Sequence, residues 1–203
     1  NTLINPFLAG LGLSQLTAPP PLPDFGGIGI LGLTVGPATA SYQIEGNLIS
    51  DHLIGIGALG AGANATLDLT ISGNTISGSG LGVLSSIPAG DIASFLASNP
   101  GFVSDLNALG IPAIPTLIAG NYGLIGIGVG SIFSAQTTAV ISGNTIDRFA
   151  LSAVAAAWES GTIGLTLTGN TSPAGGAWWA GNGGAVAPLT VTGNNFPFTQ
   201  FVP

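Results

Sequence analysis

Ile71-Ser72-Gly73-Asn74-Thr75-Ile76-Ser77 returns almost letter for letter as Ile141-Ser142-Gly143-Asn144-Thr145-Ile146-Asp147. The common element is a Gly-Asn pair set two positions behind an apolar residue. It recurs more loosely as Ile44-Glu45-Gly46-Asn47, Ile118-Ala119-Gly120-Asn121, Leu167-Thr168-Gly169-Asn170 and Val191-Thr192-Gly193-Asn194. Successive glycines are 27, 47, 23, 26 and 24 residues apart. Periods of this kind mark architectures in which each repeat buries its apolar face only against its neighbours. The 47-residue step then reads as two turns.

Upstream of the pair the chain alternates with period two, as in Leu67-Asp68-Leu69-Thr70-Ile71-Ser72 and Leu189-Thr190-Val191-Thr192. Leu, Ile and Val then face one side and hydroxyls or acids the other, which predicts half-buried strands. Downstream, the eighth and tenth residues after the glycine are apolar at Ile54 and Ile56, Leu81 and Val83, Leu151 and Ala153, and Ala177 and Trp179. After Gly120 the pair falls one residue earlier, at Ile127 and Val129.

A strand, a tight bend, a second strand and a longer loop, repeated about every 24 residues, predict a parallel solenoid whose coils pair at about 4.8 Å. Glycine tolerates positive φ at the bend, and asparagine bonds the local backbone while stacking on the next coil. Asn47, Asn74, Asn121, Asn144, Asn170 and Asn194 are therefore expected to form one structural ladder.

On these motifs residues 40–197 resemble the right-handed parallel β-helix repeat superfamily, which is similar in fold to pectate lyases. It includes periplasmic copper-centre-associated repeats, carbohydrate lyases and phage tail spikes. The resemblance implies an all-β, right-handed β-helix of about six to seven coils and is nearly silent on activity, because such repeats record stacking. The Gly120 turn lacks the following Ile, and Ser172 replaces it after Gly169, so those coils are expected to be irregular.

Two segments read differently. Residues 1–25 form an apolar arm carrying Leu3, Phe7, Leu8, Leu11 and Leu13, closed by the Pro-rich Ala18-Pro19-Pro20-Pro21-Leu22-Pro23. It either caps its own first coil or docks on a neighbour. Residues 26–203 form the β-helix. Within it a short helical insertion is expected near 90–110, with Asp91 as N-cap, a break at Asn99-Pro100-Gly101, and an end at Gly110 and Pro112.

Only 4% of the residues are charged; Arg148 is the sole basic side chain and the net charge is −7. That leaves no basis for neutralising phosphates, so a nucleic-acid partner is excluded. The uncharged run from Leu106 to Ile146 is broken by glycines and prolines, which argues against a spanning helix. The absence of cysteine removes disulfides and thiolate metal sites. An outer-membrane barrel would require antiparallel hairpins, for which the Gly-Asn period gives no support. A chain opening at Asn1 without methionine suggests a processed or excised form, and the expected location is extracellular or cell-surface. Asn64-Ala65-Thr66 and Asn170-Thr171-Ser172 match the N-glycosylation pattern, so Asn64 and Asn170 are candidate glycan acceptors.

Catalytic readings are weak. Gly55-Ile56-Gly57-Ala58-Leu59-Gly60 matches the dinucleotide glycine pattern but precedes a strand, and is assigned to solenoid turns. Ser50, Asp51 and His52 are sequence neighbours and do not converge on one reacting atom; His52 reads as an exposed turn residue. Asp51 and Asp147 share a turn position but lie 96 residues apart, about four coils or roughly 19 Å, beyond the about 5–10 Å of acid–base partners. Asp147-Arg148 reads as a local surface pair.

The expectation is thus a secreted structural protein, not an enzyme and without a cofactor, self-assembling as a filament, thread or sheath subunit. Trp178, Trp179, Phe196, Phe198 and Phe201, with the arm, are candidate subunit contacts. Its partners are copies of itself and a covalent or bound glycan. The alternative is a carbohydrate-binding or polysaccharide-degrading β-helix.

Overall fold

The computed structural model describes residues 27–108 and 111–202, so the arm with Leu3, Phe7, Leu8, Leu11 and Leu13 lies outside the described residues. From Gly27 the chain visits three sheets in rotation. β1 (Ile28–Val35), β2 (Thr39–Glu45) and β3 (Leu48–His52) start the first, second and third sheets; β4 (Ile54–Ala61), β5 (Thr66–Ser72) and β6 (Thr75–Gly78) pair onto them in the same order.

After an insertion the rotation resumes with β7 (Gly123–Ile132), β8 (Gln136–Ser142) and β9 (Thr145–Asp147), then β10 (Phe149–Trp158) and β11 (Thr162–Thr168). β12 (Gly176–Asn182), β13 (Ala185–Thr192) and β14 (Thr199–Val202) complete it. The first sheet is ordered β1-β4-β7-β10-β12-β14, the second β13-β11-β8-β5-β2 and the third β3-β6-β9. Single parallel bridges at Thr145–Thr171 and Thr171–Asn195 carry the third wall onward where Ser172 stands in place of isoleucine. Every strand pair is parallel, so the fold is all-β and parallel, with no closed barrel among the described residues.

Period-two alternation produces this arrangement because it sends the same residue class inward on every rung. Ile44, Ile71, Ile141, Leu167 and Val191 stand in one column, and Ile30, Ile56, Ile127, Ala153 and Ala177 in another. The third sheet contributes Ile49, Ile76 and Ile146. The core is continuous along the stack and thins at both ends, where Ile30 and Tyr42, and Val191 and Phe196, are only partly buried.

Gly46, Gly73, Gly143, Gly169 and Gly193 turn the corner between second and third sheets with φ of 61–65°. An L side chain disfavours that conformation, which is why glycine holds each corner.

The Gly120 repeat is not a corner. Residues 79–122 leave the body after β6 as a 3-10 helix (Leu81–Ser86) followed by α1 (Ala89–Ser98), α2 (Pro100–Ala108) and α3 (Ile114–Ala119). Leu81 and Val83 thus lie in a 3-10 helix, and the first-sheet strand they were expected to form is β7, after the insertion. The span from Gly73 to Gly143 is one turn with a helical excursion. The excursion is longer than residues 90–110, and Pro88 rather than Asp91 is the α1 N-cap; Asp91 sits in the first turn.

Candidate functional site

The asparagine column is directional. Asn47 Nδ2 donates to Asn74 Oδ1, Asn74 Nδ2 to Asn144 Oδ1, Asn144 Nδ2 to Asn170 Oδ1 and Asn170 Nδ2 to Asn194 Oδ1, each at 2.9 Å. The backbone N–H of Asn47, Asn74, Asn144 and Asn170 donates to the same oxygens at 2.9–3.0 Å. The remaining Nδ2 hydrogen reaches back one coil, from Asn74 to the Ile44 carbonyl and from Asn144 to that of Ile71. Asn74, Asn144 and Asn170 are at most 1% exposed, so these bonds operate away from water, where an unmade one costs most.

Asn121 stands elsewhere. Its Oδ1 accepts from the backbone N–H groups of Gly80 and Gly82, clasping the start of the insertion to its end. Gly-Asn follows α3 there because Gly120 is a helix C-cap, and Asn121 takes a φ of 48°. Arg148 donates to the Gly120 carbonyl at 2.8 Å and to that of Asn121 at 3.3 Å. Rather than pairing with Asp147, the only cation caps the C-terminal carbonyls of α3, where the helix dipole favours positive charge.

Asn170 is fully buried within the ladder, which removes it as a glycan acceptor. Asn64 is exposed in the turn between β4 and β5. Trp179 is 6% exposed and belongs to the core, so it is not a surface contact. Phe196 packs against the core from the last coil, and the Phe198 ring lies directly over Gly176, sealing the end of the stack. Phe201 pairs through its backbone with Trp179; its side chain lies outside the description. Of the aromatic candidates, Trp178 points outward.

It does so onto an unusual surface. On the outer face of the first sheet, β1 presents Ile28, Leu31, Leu33 and Val35, which are 42–61% exposed. β4 adds Ile54, Gly57, Leu59 and Ala61, and β7 adds Ile125, Gly128, Gly130 and Ile132. β10 adds Leu151, Val154, Ala156 and Trp158, and β12 adds Trp178 and Ala180. From β1 to β12 not one of these side chains is charged or hydrogen-bonds through anything but an indole N–H. Asn182, exposed at the end of β12, is the first amide, and Gln200 follows on β14 beside Trp178.

The second sheet is the opposite case. Its outer columns read Gln43, Thr70, Val140, Thr166, Thr190 and Glu45, Ser72, Ser142, Thr168, Thr192. Ser72 Oγ donates to Glu45 across one rung at 3.1 Å. One wall is hydroxylic and the other apolar, although their strands alternate along the same chain.

The dinucleotide-like glycines lie inside β4, not in turns. A Cβ at Gly55 would run into Ile76 Cγ2 and the Gly126 carbonyl, and one at Gly60 would sit 2.8 Å from Thr137 Oγ1. They are spacers for inward packing. Gly57 faces outward beneath Leu31, so no phosphate cradle forms.

A cleft of about 780 Å³, open to solvent, lies between the first coils and the insertion. Gly27, Asp51, His52, Ser79, Val83 and Asn121 are among its walls. Asp51 occupies a bulge with φ of 63° between Ser50 and His52, and His52 is half-buried rather than an exposed turn residue. Asp147 faces Ser77, which faces Ser50, so Asp147 and the Asp51 bulge are two rungs apart. The insertion adds residues without adding coils, and the separation falls to about 10 Å rather than about 19 Å. Asp147 does not line the cleft. Among the described residues no three His, Cys, Asp or Glu side chains gather to hold a metal ion, and no helix is long and apolar enough to cross a membrane.

No protein-family model, curated protein or solved structure matches this chain, so its own geometry carries the functional argument.

Proposed function

We propose that this chain is a right-handed β-helix of six coils, the last one incomplete, serving as an extracellular structural subunit that works by packing against copies of itself. Parallel crossovers within one sheet are right-handed in about 98% of cases, which supports the handedness. The first sheet's six strands support the coil number.

One observation carries the function: the outer wall running from Leu31 to Trp178 is apolar throughout. An isolated soluble domain rarely exposes an apolar patch beyond a few hundred Å². A chain with 4% charged residues has little else to keep such a wall in water. Sedimentation velocity over a hundredfold concentration range, with electron microscopy of the same samples, tests this. Oligomers or ordered assemblies are expected; a monomer throughout would sink the reading.

A carbohydrate-active protein is the second reading, favoured by the cleft that holds Asp51 and His52 and by the two-rung separation of Asp51 and Asp147. About 10 Å sits at the outer edge of inverting carboxylate pairs. Turnover of a polysaccharide that disappears in both Asp51→Asn and Asp147→Asn would establish it.

A further inference from the structure

Resting on that reading of a self-assembling chain, we propose that the interface is the outer face of the first sheet, packed against the same face of a second copy. Self-pairing is the partner this face fits. It has no charge and no hydroxyl, and from β1 to β12 its one amide is Asn182 at the far end of the last of these strands, so little on it asks a different partner for a polar complement. The carboxylates of the described residues lie elsewhere. Glu45 and Asp68 are on the second sheet, Asp51 and Asp147 on the third wall, and Asp91 and Asp105 on the insertion's helices; Glu159 follows Trp158 in the loop beyond the strand. Two copies therefore meet without bringing any of these elements' carboxylates onto the contact face.

The relief of the wall also fits. Large side chains stand on every strand, among them Leu31 and Leu33 on β1, Leu59 on β4, Ile132 on β7, Trp158 on β10 and Trp178 on β12. Small residues, Gly128, Gly130 and Ala156, lie between them. Leu59 leans over Gly130, within 2.8 Å of where a Cβ would stand, and Leu31 leans over Gly57, which levels the surface. Glycine inside a strand often marks a close approach, and here the wall's own leucines make it, leaving a level apolar face for a second copy to meet.

The area is sufficient. The five strands from β1 to β12, about 4.8 Å apart and each about eight residues long at about 3.3 Å per residue, give a flat face of about 600 Å². Two such faces bury about 1,200 Å², above the about 1,000 Å² that a specific interface clears.

The chain has no cysteine, so single-cysteine variants report the contact directly. Gly128→Cys stands at the centre of the face, where the added Cβ meets Ile125 Cγ2 at an ordinary 3.5 Å. Thr166→Cys on the hydroxylic wall serves as control. Oxidation is expected to link Gly128→Cys into covalent dimers at least tenfold faster than Thr166→Cys. Leu33→Lys in the Gly128→Cys background should abolish the difference while circular dichroism and melting remain those of the parent.

If the protein assembles but crosslinks faster through Thr166→Cys, or equally at both sites, the face is wrong and the structural reading stands. A chain that is monomeric at every concentration removes both. If the cysteine at 128 is shielded from alkylation in a monomer and opens when residues 1–25 are deleted, the occupant is the chain's own arm and the proposal is overturned.

Discussion

Asn74 and Asn144 are 70 residues apart in sequence and adjacent in space, the Nδ2 of the first donating to the Oδ1 of the second at 2.9 Å. All 44 residues of the helical excursion lie between them. The rung they form has the same geometry as that between Asn144 and Asn170, which are only 26 residues apart.

Removing a buried rung is expected to be costly. Asn144→Ala removes the partner of the Asn74 N–H, of one of the two Asn74 Nδ2 hydrogens, and of the Ile71 carbonyl. A loss of about 3 kcal/mol follows, because each buried unpaired group costs about 1–3 kcal/mol. Asn47→Ala, at the exposed end of the column, should cost less than about 1 kcal/mol. Urea titration followed by far-UV circular dichroism distinguishes the two.

Corner glycines should differ sharply from wall glycines. Gly143→Ala must hold alanine at φ of 61° and should lose about 1–2 kcal/mol. Gly164→Ala adds a Cβ on the outer face of β11, 3.4 Å from Pro188 Cδ, and should stay within about 0.5 kcal/mol of the parent. The shift in thermal midpoint reads both.

Arg148→Met keeps most of the side-chain stem and deletes the two bonds to Gly120 and Asn121. Charged hydrogen bonds contribute about 1.5–3 kcal/mol. Amide exchange across residues 79–122 should therefore speed up about tenfold or more, while exchange in β5 and β8 is unchanged. Equal acceleration in both regions would mean that the arginine holds the body itself, contrary to the geometry.

In a glycosylating host, intact-mass measurement should find glycan on Asn64 alone. Asn64→Gln removes it; Asn170→Gln leaves it in place and destabilises the stack, because the longer amide breaks the bonds to Asn194 and Ile141.

Much of the architecture is legible in the sequence because the features that specify it are periodic. Ile71 and Ile141 mark the inward column, Gly73 and Gly143 the corner, and Asn74 and Asn144 the rung, all within seven residues. Asn121 misleads for a physical reason: a glycine followed by asparagine suits a helix C-terminus as well as the corner between the second and third sheets, since each needs one residue at positive φ, Asn121 itself in the first case and the glycine in the second. Counting it as a coil, and the 47-residue step before it as two turns, doubled the apparent distance between Asp51 and Asp147.

The apolar wall is harder to read. In Gly55-Ile56-Gly57-Ala58-Leu59-Gly60 the inward Ile56 and the outward Leu59 are chemically alike, so hydropathy cannot tell core from surface. Only where hydroxyls alternate with aliphatics, as in β5 and β11, does the pattern declare its faces.

The corner after β6 releases a long segment and takes it back with no change to the pairing of β5 with β8. Chain length at that address is decoupled from the architecture around it. A foreign peptide or small folded module spliced between Val83 and Ile118 would be carried as cargo, with Asn121 and Arg148 serving as the clasp that fixes where it hangs.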